Sequence, residues 1–135
     1  PIQDNPAVTT LHLGGNQLCG LNYRGEGTYT AEGITAIAEA LKVTGSLTEC
    51  KLCGNQVGVE GWTIIFNALR DSSVSKISTW DLHHENLGPE IAKPLAEYIS
   101  VTGSLTTLNL QLNQLDESAK AALRAAARPA LKLDL

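Results

Sequence analysis

Two stretches of this chain, VTGSLTECKLCGNQVG (Val43 to Gly58) and VTGSLTTLNLQLNQLD (Val101 to Asp116), share their first six residues, then a Leu, an Asn and a Gln at the same offsets. Self-similarity of this kind marks a chain built from stacked units. The shared frame is L-x-x-L-x-L-x-x-N-x-L. Leu47, Cys50, Leu52, Asn55 and Val57 fill it in the first stretch, and Leu105, Leu108, Leu110, Asn113 and Leu115 in the second. Working outward, Ile77, Trp80, Leu82, Glu85 and Leu87 fill another copy, and Val8, Leu11, Leu13, Asn16 and Leu18 one more, so that in chain order the four frames start at Val8, Leu47, Ile77 and Leu105. From Leu47 to Ile77 is 30 residues, and from Ile77 to Leu105 is 28.

Each frame is joined to a segment with apolar residues four apart. Gly33, Ile37 and Leu41 precede the second frame; Gly61, Ile65 and Leu69 follow it. Ile91, Leu95 and Ile99 follow the third, and Ala119, Leu123 and Ala127 the fourth. That spacing puts one apolar stripe on a helix. The unit is therefore a short strand, a turn and a helix of about three turns.

The four frames resemble the leucine-rich repeat family, in its long ribonuclease-inhibitor-like class found also in NOD-like receptors. The resemblance covers nearly the whole chain. It implies an α/β solenoid, a short horseshoe with a parallel sheet on the concave side and helices on the convex side. Residues 1–135 are read as one such domain, four repeats and a C-terminal half-repeat in which Leu131, Leu133 and Leu135 of ALKLDL alternate as a fifth, capping strand. Asn16, Asn55 and Asn113 look like the family's asparagine ladder, in which the side-chain amide donates to backbone carbonyls. Glu85 breaks the ladder, because an ionised carboxylate cannot donate. It is expected to swing outward, or to yield its place to Asn86 through a bulge.

The frame also explains the C-x-x-C of Cys50 and Cys53, a spacing otherwise read as a zinc half-site or redox dithiol. Cys50 falls in the slot of Leu11, Trp80 and Leu108, while Cys53 falls in that of Gly14, His83 and Gln111. Strand residues an odd number apart point to opposite faces. The two thiols are therefore expected to diverge, with Cys50 buried and Cys53 accessible.

Bulk composition narrows the function. A formal charge of −4 and ten scattered Lys and Arg residues argue against a nucleic-acid partner. No run of apolar residues reaches the length of a membrane span, and PIQDNPAV has no basic n-region followed by an apolar run, so no signal peptide is expected in it. An odd count of three cysteines fits free thiols in a reducing compartment such as the cytoplasm. With 43% hydrophobic residues but only two Trp, three Tyr and one Phe, the core is expected to be aliphatic. The chain opens on Pro1 rather than Met. An uncapped first repeat, preceded by Ile2 between Pro1 and Pro6, is expected in part of a longer protein, and it implies weak self-association there.

No nucleophile, base and orienting acid group together, and no cofactor motif or closed metal set is present. The expected function is a non-enzymatic protein-interaction module; the alternative is a structural spacer with no ligand of its own. Candidate partner-binding residues lie between the apolar slots of the strands: His12, Lys51, Asp81 and Asn109 in one row, with Glu49 beside them and His83 just past the third strand. The first unit carries an insertion, CGLNYRGEGTY (Cys19 to Tyr29), read as an exposed loop in which Tyr23 and Arg24 are the candidate anchors.

Overall fold

A computed structural model describes residues 8–22 and 24–135. Five three-residue strands form one sheet in chain order, all parallel: β1 (Thr10–His12), β2 (Glu49–Lys51), β3 (Thr79–Asp81), β4 (Thr107–Asn109) and β5 (Lys132–Asp134). Four helices alternate with them: α1 (Glu32–Val43), α2 (Gly58–Arg70), α3 (Ala92–Val101) and α4 (Glu117–Ala126). Consecutive helices pack against one another. The result is an α/β fold of repeated strand–helix units. Among the described residues no helix is long and apolar enough to cross a membrane.

The strand register follows the sequence frames. Leu11 pairs with Cys50, Trp80 with Leu108, and Leu108 with Leu133. These inward slots face the helices. Leu47, Cys50, Leu52 and Val57 of the second frame are buried, and the third and fourth frames bury the same slots as far as Leu110. The alternation within each strand is short, yet it decides the faces: Cys50 is 2% exposed while its neighbour Lys51 is exposed. The capping strand is present, with Leu131 buried beneath it. Just before it, the Arg128 guanidinium donates to the carbonyls of Thr102 and Leu105, tying the last turn to the unit before.

The core departs from the aliphatic expectation. Trp62 and Phe66 of α2, Trp80 of β3 and Tyr98 of α3 are all buried in its centre. Phe66 stacks on Trp62 and Tyr98, with ring centroids 5.7 and 5.4 Å away, and meets the Trp80 ring edge-on at 5.8 Å. Low aromatic content therefore reflects concentration at one place, where each ring buries more surface than an aliphatic chain. In α1 the fully buried stripe is Ile34, Ala38 and Leu41, one residue round from the expected Gly33 and Ile37 at its start. Ile37 is only half-buried, because α1 has a helix neighbour on one side alone.

A tight turn follows each of the first four strands. Its residue before the ladder position is left-handed in every unit: Gly15, Gly54, His84 and Leu112 have φ of 70, 75, 54 and 62°. The insertion in the first unit is an ordered hairpin rather than a simple exposed loop. Asn22 Oδ1 accepts the Arg24 and Glu26 N–H groups at 2.9 and 3.0 Å, and Leu21 bridges Gly27. Its ends belong to the core. Cys19 is fully buried, and the Tyr29 hydroxyl donates to the Val57 carbonyl at 2.6 Å. The expectation for the N-terminal end, resting on Pro1, Ile2 and Pro6, lies outside the described residues, as does Tyr23.

Candidate functional site

The register assembles the row expected from sequence as two pairs, with no pairing between Lys51 and Asp81. His12 pairs with Lys51, and Asp81 with Asn109. Asn109 in turn pairs with Asp134, a member the sequence reading missed although it had placed the fifth strand there. Glu49 lies in the adjacent row, opposite Thr10 and Thr79. His12, Lys51 and Asp81 are exposed, and Glu49, Asn109 and Asp134 are half-buried.

Asp81 is the hub of this face. Its Oδ1 lies 2.7 Å from His83 Nδ1 and accepts the His83 N–H and the Asn109 amide, both at 3.2 Å. Burial opposes ionisation of Asp81. The His83 ring and N–H, aided by the His83 and Lys51 charges, outweigh it and hold the carboxyl below its ordinary value. Lys51 itself sits 3.4 Å from Glu49. The face is thus a band of hydrogen-bonding and oppositely charged groups across β2, β3 and β4. Arg24 is carried on the hairpin of the first unit, not on the strands.

A hollow of about 140 Å³ opens on this face between Lys51, Cys53, Thr79 and Asp81. It coincides with a parted seam in the sheet. Strands β1–β2, β3–β4 and β4–β5 each pair over three positions, whereas β2 and β3 pair only at Glu49 and Thr79. Past the other strands the ladder continues: Leu13 and Gly15 donate to the carbonyls of Lys51 and Cys53, and Leu82 and His84 to those of Asn109 and Gln111. Among the described residues no such bonds run from Leu52 and Gly54 to Asp81 and His83.

Glu85 lies at the end of that seam. It neither swings outward nor gives way to Asn86, which is exposed. Instead it is half-buried, accepts the Trp62 indole N–H at 3.3 Å, and takes the backbone N–H of Gly54. Burial raises its carboxyl above the ordinary value against the opposing pull of the Trp62 and Gly54 donors and the His83 charge.

The cysteines differ in burial as expected. Cys50 is buried and Cys53 exposed, and a Cβ placed on Gly14 would lie 3.4 Å from the Cys53 sulfur, on the β1 side of the strand. Among the described residues, no group of three His, Cys, Asp or Glu side chains is arranged to hold a metal. The chain matches no protein-family model, and a comparison with curated proteins finds no match.

Proposed function

We propose that this chain is a leucine-rich-repeat segment of the ribonuclease-inhibitor-like class and that it binds a protein partner, without catalysis, through a concave strand face. The sequence frames and the in-register parallel strands support the family reading. One observation carries the functional one: exposed Lys51 and Asp81 and half-buried Asn109 form a polar band of mixed sign on successive strands. Such a band suits a partner of complementary charge, with specificity set by sign pairing across the interface. The hairpin bearing Arg24 adds a second contact. In place of catalysis the Asp81–His83 pair acts as a fixed acceptor and donor on this face.

The test is affinity capture with wild type, with a Lys51→Glu/Asp81→Lys double reversal, and with a Lys93→Glu control on α3. A partner retained by wild type and control and lost by the reversal, then bound directly in titration with the same ranking, carries the proposal. Equal capture by all three proteins overturns the strand face as the site. No specific capture at all favours the spacer.

A further inference from the structure

We infer that the joint between the second and third units is a pH-sensitive seam, closed when Glu85 is protonated and parted when it is ionised. The neighbouring joints show what a closed one needs. Asn55 donates its amide to the Leu13 carbonyl of the preceding unit at 2.8 Å, and Asn113 does the same to Leu82 at 2.8 Å. Both side-chain oxygens also accept two backbone N–H groups from the preceding turn. Glu85 holds the equivalent place and should stitch itself to Leu52. Ionised, it is an acceptor only. It takes the Gly54 and Trp62 N–H groups and has nothing to offer the Leu52 carbonyl, which among the described residues receives only the Asn55 amide of its own unit at 2.9 Å. The missing stitch and the missing backbone bonds fall at the same joint.

Protonation changes Glu85 from an acceptor into a donor with one O–H. That proton meets the need of Leu52, draws the third unit toward the second, and brings the Leu52 N–H within reach of the Asp81 carbonyl. The groups around Glu85 set the direction. His83 favours its ionisation and Asp81 opposes it; His84 lines the 260 Å³ hollow outside it. The second unit and α2 present uncharged groups, Gly54, Gln56 and Trp62. Burial dominates and raises the carboxyl. The folded chain therefore takes up this proton at a higher pH than the unfolded chain does. Its stabilising effect is complete below the unfolded value and fades as pH climbs through the folded one. This joint underlies Lys51 and Asp81, but the inference needs no partner.

Amide exchange read by NMR on the intact chain tests it. Protection factors, corrected for intrinsic exchange, are followed for Leu52 from about pH 7 to about pH 5, with Leu13 and Leu82 as references. Leu52 should gain roughly tenfold protection on acidification while the references stay level. In Glu85→Gln, which keeps a donor at every pH, Leu52 should be protected throughout. A Leu52 profile flat with pH in wild type, or an unchanged pH response in the Gln variant, overturns the inference. Should that variant fail to fold, the Glu85 carboxyl ¹³C shift and the Leu52 amide shift are titrated in wild type. They must share one midpoint, and separate midpoints reject the switch.

Discussion

The side-chain amide of Asn55 reaches the Leu13 carbonyl at 2.8 Å, while Asn55 Oδ1 accepts the N–H groups of Asn16 and Leu18 at 2.8 and 3.2 Å. One fully buried side chain thus satisfies three backbone groups of the unit before it. Removing it leaves them without partners in a place water does not easily reach. Asn55→Ala should cost about 3 kcal/mol in urea unfolding. Asn16→Ala, at the exposed start of the series, should cost less than about 1 kcal/mol. Equal costs would deny that the ladder acts between units.

These residues also show what could be read from sequence. Leu, Ile and Val at fixed offsets gave the strands, the helices and the faces of Cys50 and Lys51, because burial follows period. Two features lay beyond that logic. The frame placed Trp80 in an inward slot but said nothing of where Trp62, Phe66 and Tyr98 would meet it, since helix-to-strand contact depends on the path of the chain. Glu85 broke the pattern visibly. Its inward resting place, however, depends on an indole and a glycine N–H supplied by the preceding unit, which no spacing within its own unit encodes.

Thiol labelling separates the three cysteines. Thiolate is the reactive form, and burial pushes the Cys50 thiol up to about 12 and raises Cys19 as well. Both react only when the surrounding core opens. One equivalent of reagent, on Cys53, should be consumed at least about a hundredfold faster than the other two in native protein. All three should react at similar rates in denaturant. Equal native rates for Cys50 and Cys53 would contradict the opposite faces assigned to them.

The hairpin of the first unit divides into a tip and a base. A Cβ at Gly20 would fall 2.4 Å from the Thr28 oxygen, and one at Gly27 2.3 Å from the Gly20 oxygen, so the two arms close only with glycine at both places. Replacing residues 22–26 with Asn-Gly should leave the thermal midpoint within a few degrees, because the tip is a surface turn. Tyr29→Phe should cost about 1 kcal/mol by unpairing the Val57 carbonyl. A large loss from the tip and none from Tyr29 would reverse this division.

The turn before β-ladder position Asn113 offers the opposite kind of change, a substitution that stabilises. Leu112 has φ of 62° and is 73% exposed, so it combines a left-handed backbone with an apolar side chain in water. A β-carbon makes that conformation cost about 1–2 kcal/mol, whereas glycine adopts it freely. The equivalent places in the first and second units hold Gly15 and Gly54, at φ of 70 and 75°. Leu112→Gly relieves the strain and removes little packing, but the unfolded chain gains freedom that folding must then overcome. The net effect should be a stabilisation of about 0.5–1 kcal/mol, read as a higher urea midpoint at unchanged slope. The opposite change, Gly54→Leu, should destabilise by at least that much, because its Cβ would also press to 3.4 Å from the Gly15 nitrogen. If Leu112→Gly lowers the midpoint instead, the turn of the fourth unit is not left-handed in solution.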